Sequence, residues 1–305
     1  MAGKKMTEPT SALANFSAGI TPNNIPASTQ EYTKLLLLDA LACAYAGHKG
    51  EETAQLLHVA KALSPGIKES PVIGGEGLSL AGASLFNGYL ITAVTMCDVH
   101  RECLTHITPE IVPPALGIGY RDEVSGQVFL TALAVGCEVA TRVGIGLDYP
   151  VFRRKGWHGP GVLGPFGAAA SVGYMRGFDK DTMARAFALA GSQAAGTFAA
   201  WGTPTVKFHQ CRAALSGLLA ALTAEQGFVA TDKFLTAEDG GLYNTYADGG
   251  LPNRVTDDLG KRWELEQIAL RLWPSATALQ DVLTALFDLV SNNSFKFEEI
   301  EGVKI

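Results

Sequence analysis

Helical patterning covers most of this sequence and leaves little room for any other kind of fold. Segments with apolar residues at helical spacing follow one another, each bounded by Gly, Pro or Asp. Ser28 and Glu31 before the first segment predict a capping box, and Gly47 ends it. Strand patterns are confined to residues 71–73 and 295–305, so the sequence predicts an all-α fold. The predicted helices cover residues 32–47, 51–63, 78–95, 110–122, 126–143, 162–176, 180–195, 210–226 and 278–291.

Several of these segments are rich in Ala and Gly rather than Leu, and such small side chains let helix axes approach closely. The uncharged stretches 77–97 and 186–206 are long enough to cross a bilayer, but polar residues and glycines interrupt both, and we interpret them as core helices. Among the 305 residues 47% are hydrophobic and 18% charged, which is enough to bury a large core.

The charge balance excludes several classes of partner. The chain has 24 Lys and Arg against 30 Asp and Glu, a net charge of −6, and no overall basic field to bind nucleic acid or a membrane surface. No apolar stretch follows the basic opening, so no secretory signal is predicted, and five scattered cysteines are typical of reduced thiols. We expect a cytoplasmic protein. The sequence has no Walker motif, no Cys-x-x-Cys pair and no Gly-x-Gly-x-x-Gly that follows a strand pattern, so no nucleotide cofactor is expected.

The densest cluster of ionisable side chains lies between Cys97 and His106. It contains Asp98, His100 and Glu102 besides His106, a composition suited to acid–base catalysis. In the alternative interpretation His100 caps a helix end and only His106 points inward. A metal site is disfavoured, because the two histidines are six residues apart whereas chelation from one helix uses a spacing of four.

Two further segments place cations and a histidine close to the start of a helix. Backbone N–H groups at a helix N-terminus, together with neighbouring cations, suit a carboxylate or a phosphate. The alternative for both segments is a solvated surface loop. The side chains concerned are Arg153, Arg154 and His158 in the first segment, and Lys207, His209 and Arg212 in the second.

Four motifs occur in a characteristic order. They are Leu-Asp-Ala-Leu-Ala-Cys-Ala-Tyr-Ala-Gly over 38–47, Ala-Ser-Leu-Phe-Asn-Gly over 83–88, Asp…Thr-His…Pro-Ala within 98–115, and Gly-Trp-His…Gly-Ala-Ala-Ala over 156–170. In this order they resemble the motifs of the MmgE/PrpD family, which includes 2-methylcitrate dehydratase, cis-aconitate decarboxylase and iminodisuccinate epimerase. The resemblance extends over nearly the whole chain.

The resemblance implies a large helical domain, here residues 1–270, followed by a smaller α+β lid of which residues 271–305 are only the start. It also implies a homodimer, an active site between the two domains, and no cofactor or metal. The expected activity is that of a lyase of the 2-methylcitrate dehydratase type, which removes a proton alpha to a carboxylate of a small di- or tricarboxylic acid. Alternatives are a cis-aconitate decarboxylase-like or iminodisuccinate epimerase-like activity, or an inactive scaffold that pairs with a separate lid-bearing chain.

Site residues follow from the same resemblance. Cys97 and Val99 depart from the family's Asp-Asp-Thr-His stretch, and Val206 stands where the family has a lysine. One imidazole is expected to remove a proton, the other to act as acid, and Asp98 to orient one of them. The predicted catalytic residues are Asp98, His106, His158 and Lys207. The predicted substrate-binding residues are His100 and Arg271, from the resemblance, and Arg153, Arg154 and His209, from the cationic segments at the helix starts.

Overall fold

The computed structural model describes residues 8–302 and 304, without the side chain of residue 297. The first seven residues, on which the expectation of no secretory signal depends, lie outside this range. A two-stranded antiparallel sheet pairs β1 (Val99–His100) with β2 (Ile268–Ala269). The α-helices are α1 Pro9–Gly19, α2 Ala27–Gly47, α3 Thr53–Ala62, α4 Leu80–Thr92, α5 Thr108–Arg121, α6 Gly126–Gly146, α7 Tyr149–Arg154, α8 Gly159–Met175, α9 Lys180–Gly191, α10 Thr205–Glu225, α11 Leu242–Ala247, α12 Pro252–Thr256 and α13 Gln280–Asn292.

The all-α prediction is confirmed, and the long helices begin at recognisable caps. The Ser79 hydroxyl accepts the Gly82 N–H at the start of α4, and the Asp179 carboxylate accepts the Thr182 N–H at the start of α9. The predicted capping box before α2 is wrong. That helix begins at Ala27, directly after Pro26, so Ser28 and Glu31 already lie inside its first turns.

Both strand predictions are wrong over the described residues. Residues 71–73 form no strand, and the nearest bridge joins Ser70 to Leu78. The described part of segment 295–305 contains a 3₁₀ turn at Phe297–Glu299 instead of a strand, while residues 303 and 305 lie outside the described range. Within the described residues neither of these short alternating segments pairs with another strand, and an alternating pattern without a pairing partner does not form a sheet.

Helix α8 lies at the centre of the fold and packs against α6 and α10. All its residues from Gly159 to Gly173 are buried. A Cβ atom on Gly167 would lie 2.6 Å from the carbonyl oxygen of Gly136 on α6, and one on Gly217 of α10 would lie 2.3 Å from Ala168 Cβ. The predicted close approach of helices through small residues is thus confirmed.

One described helix, α6, is long and apolar enough to cross a membrane by length and composition. Of its most apolar window, 83% is buried inside the protein. Burial of this extent is typical of the core helix of a globular domain.

The N-termini of α5, α8 and α10 converge on one side of this core. Pairing of β1 with β2, in the register Val99 to Ala269 and His100 to Ile268, brings the segment after β2 to the same place. Most of the site residues predicted from the sequence lie in these four segments.

Candidate active site

His106 and His158, 52 positions apart in the sequence, line the same cleft. The cleft has two adjoining lobes, with volumes of about 430 and 310 Å³, and both histidines belong to each of them. The first lobe contains Lys207 and Arg271, and its remaining polar side chains include Glu52. The second lobe is mostly apolar and aromatic, with linings from Val99, Leu104, Tyr149, Trp157 and Phe198. One polar and one apolar lobe suit a small carbon skeleton that carries several carboxylates.

His106 is held in one tautomer by the backbone. Its Nδ1 lies 2.8 Å from the carbonyl oxygen of Asp98. Because a carbonyl oxygen can only accept, Nδ1 carries the hydrogen and Nε2 keeps its lone pair. Burial, with the nearby Arg271 cation, lowers the pKa of His106 to about 3, so the ring is neutral at physiological pH. The Nε2 atom of His106 can therefore accept a proton or a hydrogen bond.

The Asp98 carboxylate has a structural task. It is completely buried and accepts the backbone N–H groups of Ile107 and Thr108, each at 3.1 Å, together with the Thr108 hydroxyl. These bonds fix the start of α5, although burial still raises the pKa of Asp98. The group of Asp98 that contacts an imidazole is its backbone carbonyl, which accepts from Nδ1 of His106. The carboxylate itself lines neither lobe of the cleft.

His158 precedes α8 and is fixed on two sides. Its backbone N–H donates to the carbonyl of Gly196 at 3.0 Å, and its ring Nδ1 lies 2.9 Å from Nδ1 of His209. Burial lowers the pKa of His158 to about 4, and the neighbouring His209 ring and Arg153 cation add to the effect. His209 lines neither lobe, so the structure places it behind His158 and not at the cleft wall, where its predicted substrate-binding role would require it.

The two cations of the cleft are held differently. Arg271 donates to the carbonyl oxygen of Cys97 at 2.5 Å and to the carbonyl of Ser275 at 2.9 Å, which leaves N–H groups for a ligand. Lys207 binds the Glu52 carboxylate at 2.8 Å. Lys207 and Arg271 thus both reach the polar lobe, as a carboxylate-binding site requires.

Besides His209 and the Asp98 carboxylate, three further predicted residues are not brought to the cleft. His100 lies in β1, where its Nδ1 accepts the Cys103 N–H at 3.3 Å. The Arg153 guanidinium lies 3.3 Å from the centre of the Phe198 ring, and Arg154 is exposed. None of the three lines either lobe. Their substrate-binding roles stay predictions, without support from these positions.

Sequence reasoning missed Glu52, Gln210 and Trp201, all of which line the polar lobe. Glu52 follows Glu51 in an ordinary acidic pair, and no local pattern distinguishes it from a solvated residue. Gln210 and Trp201 flank the Lys207 segment, so their proximity to that cation was the only available signal. Within the described residues no group of three or more His, Cys, Asp or Glu side chains is placed to hold a metal ion.

The model of the MmgE/PrpD N-terminal domain matches residues 11–254, which is most of the chain and includes every helix from α2 to α11. The chain belongs to the MmgE/PrpD family. Among curated relatives, a protein of Aspergillus oryzae named cis-aconitate decarboxylase-like protein oryM is 31% identical over 97% of this chain and 64% of its own length. The cis-aconitate decarboxylases of Aspergillus terreus and Homo sapiens are 25% and 26% identical, over 92% and 87% of this chain and 60% and 56% of their own lengths.

The chain therefore spans about three fifths of the length of these curated relatives. One residue at which this chain departs from the family motif lies next to the cleft. Cys97, which stands where an aspartate was expected, is fully buried, and its thiol lies 3.2 Å from Arg271. Burial raises the pKa of Cys97 to about 12, against the effect of the Arg271 charge, so the group remains a neutral thiol. Arg271 is consequently not neutralised by Cys97 and keeps its charge for the cleft.

Proposed function

We propose that the chain provides the acid–base residues of a lyase, which decarboxylates a small unsaturated tricarboxylic acid of the cis-aconitate type. The observation that carries this proposal is the cleft in which His106 and His158 lie beside Lys207 and Arg271. The names of the relatives favour this reaction over the dehydration of 2-methylcitrate. A cytoplasmic location, a homodimer and a separate lid-bearing partner are further proposals.

Decarboxylation needs one proton. The bond between the leaving carboxylate and its carbon breaks, carbon dioxide departs, and the electron pair moves through the double bond to a carbon next to a second carboxylate. A proton is then added to that carbon. Lys207 and Arg271 would bind the remaining carboxylates and stabilise the negative charge that accumulates on them, and a ring N–H of His158 would supply the proton.

Dehydration makes a different demand on the same cleft. One proton leaves carbon while another is delivered to the departing hydroxyl group, so both imidazoles are required. Decarboxylation should therefore depend strongly on His158 and less on His106, whereas dehydration should depend strongly on both. This difference makes the two reactions separable by two substitutions.

The decisive experiment incubates the purified chain in deuterated water with cis-aconitate, citrate or 2-methylcitrate, and follows carbon dioxide release and the products by NMR. We expect carbon dioxide from cis-aconitate, one deuterium in each product molecule, and a loss of about 10²–10⁴-fold in kcat in His158→Ala. His58→Ala, in an exposed histidine of α3, is the matched control and should keep full activity.

Two other results would contradict the proposal. Loss of water from 2-methylcitrate without release of carbon dioxide would assign the dehydratase reaction instead. Folded protein that turns over none of the three acids would favour the non-catalytic alternative, in which the chain acts as a scaffold or partner protein.

A further inference from the structure

The contact between His158 and His209 is a hydrogen bond between two rings that are both neutral. Their Nδ1 atoms are 2.9 Å apart. Burial lowers the pKa of both rings, with neighbouring arginine charges adding to the effect, Arg153 for His158 and Arg212 for His209. Two neutral rings in this contact share a single hydrogen between their Nδ1 atoms, so one must be the donor and the other the acceptor.

We propose that His209 is a positioning residue, which donates its Nδ1–H to Nδ1 of His158 and thereby keeps the reactive hydrogen of His158 on Nε2. The proposal rests on the proposed function, since it explains how His158 becomes the proton donor. With Nδ1 occupied as an acceptor, Nε2 is the only nitrogen of His158 that can present a hydrogen to the cleft.

The direction of the hydrogen bond between His158 and His209 follows from the tautomer of His106, the other histidine of the cleft. His106 already carries its hydrogen on Nδ1, directed at the Asp98 carbonyl, and offers an unprotonated Nε2. If His158 donated to His209, both catalytic rings would present lone pairs and the cleft would contain no imidazole N–H. With His209 as donor, the cleft contains one lone pair and one N–H, which is the arrangement that proton delivery to carbon requires.

The backbone around His209 restricts its ring to this position. A Cβ atom on Gly196, whose φ of +128° favours glycine, would lie 3.0 Å from Nδ1 of His209. The carbonyl of the same Gly196 accepts the backbone N–H of His158. Gly196 thus packs against the ring of His209 and accepts a hydrogen bond from the backbone of His158. It therefore holds the two imidazoles in a fixed position relative to each other.

During turnover the Nε2 hydrogen of His158 passes to the substrate carbon, while His209 keeps its Nδ1 hydrogen and, by donating it as a hydrogen bond, stabilises the negative charge left on the His158 ring. Water then returns a proton to Nε2 of His158, which restores the resting ring, and the hydroxide that remains combines with the released carbon dioxide as bicarbonate. One solvent proton enters the product for each carbon dioxide released. The charge of Arg212, close to His209, strengthens the His209 N–H as a hydrogen-bond donor.

The first test observes the tautomer directly and needs no activity. In the whole chain labelled with ¹⁵N-histidine, long-range ¹H–¹⁵N spectra should show His158 protonated at Nε2 and unprotonated at Nδ1, and His209 protonated at Nδ1. His158→Ala and His209→Asn assign the two sets of signals. Protonation of His158 at Nδ1 would overturn the proposal, whether or not the chain proves to be a decarboxylase.

The second test compares two variants whose side chains both branch at Cγ. His209→Asn keeps an N–H donor close to the position of Nδ1, whereas His209→Leu keeps the shape without a donor. We expect kcat for cis-aconitate to fall about 10–100-fold in His209→Leu with KM changed less than about threefold, and to recover to within about fivefold in His209→Asn.

Equal losses in the two variants would overturn the positioning role. A raised KM with unchanged kcat would overturn it as well, and would return His209 to substrate binding. Should His209→Leu fail to fold, the tautomer in the unmodified chain and the activity of His209→Asn still decide the question.

Discussion

Two ion pairs of similar chemistry lie in different regions of the molecule. Arg142 and Glu138 lie one turn apart on α6 in the core, and both side chains are completely buried. Lys207 and Glu52 meet at the cleft, with exposed fractions of 17% and 15%. The core pair is part of a wide network, whereas the pair at the cleft has few other bonds.

In the core, Arg142 also donates to three backbone carbonyls, and Glu138 accepts the Leu265 N–H at 3.0 Å. The carbonyls belong to Val255, Asp257 and Arg262. This network fastens the segment before β2 to α6, and so it helps to set the position from which Arg271 reaches the cleft. A buried charge with so many partners serves the structure, while a charge with one partner at a cleft remains available to a ligand.

The largest expected effect comes from breaking the core pair. Arg142→Met leaves Glu138 and the three carbonyls without their partner inside the protein, and should lower the free energy of unfolding by about 3–5 kcal/mol. Urea unfolding followed by circular dichroism measures the change. The double variant Glu138→Leu/Arg142→Met removes both charges and should lose less than Arg142→Met alone. A larger loss in the double variant would show that Glu138 stabilises the core through its other partner, the Leu265 N–H, and would contradict the expected cost of an unpaired buried charge.

The buried carboxyl group of Glu110, on α5, differs from those of both Glu138 and Glu52. Neither of its side-chain oxygens has a hydrogen-bond partner among the described residues, and a Cβ atom on Gly164 of α8 would lie 2.3 Å from its Cγ. Burial raises the pKa of Glu110 well above its usual range, with the Asp98 charge adding to the effect. The neutral acid is therefore the form that the fold favours.

Replacement of Glu110 by Gln should change how stability depends on pH. A carboxyl whose pKa is raised by folding stabilises the protein below its unfolded pKa, and this contribution is lost as pH rises through the folded pKa. Glu110→Gln should therefore match the unmodified chain near pH 4 and exceed it by about 1–3 kcal/mol near pH 8. Unfolding midpoints at both pH values test this expectation. Glu138→Gln is the matched control, and a gain at pH 8 in that variant would deny that the absence of partners causes the effect.

Much of the fold could be predicted from the sequence, because caps, glycines and helical spacing are local signals. The bounds of α4, α6 and α9 agree with prediction for this reason. Short helices such as α7 and α11 were missed, since six residues give too little periodicity. Strand β1 was missed because its pairing with β2 depends on a contact across more than 160 residues.

The candidate site, like the fold, contains some residues that the sequence predicts and some contacts that it does not. His106 and His158 were identified from family motifs, and the structure brings them to one cleft. The partnership of His158 with His209 could not be predicted, because the contact joins α8 to α10 and has no signature in either segment. The same is true of Glu52, whose partner Lys207 lies 155 positions later in the sequence.

The smallest expected effect concerns the pair at the cleft. Burial disfavours the Glu52 carboxylate, but hydrogen bonds from Lys207 and Tyr89 outweigh it and lower the pKa of Glu52, so the residue is charged and neutralises Lys207. A substrate carboxylate must compete for that ammonium group. Glu52→Gln should therefore lower KM for cis-aconitate about 2–10-fold at nearly constant kcat, and change the free energy of unfolding by less than about 1 kcal/mol.

Glu51→Gln is the matched control for that substitution. Glu51 also lines the polar lobe, but among the described residues it forms no ion pair, so its replacement removes the same charge without releasing Lys207. Equal decreases of KM in both variants would mean that the overall potential of the cleft, and not the release of Lys207, governs substrate binding. A raised KM in Glu52→Gln alone would mean that Glu52 holds Lys207 in its productive position, which would make the pair at the cleft as structural as the pair in the core.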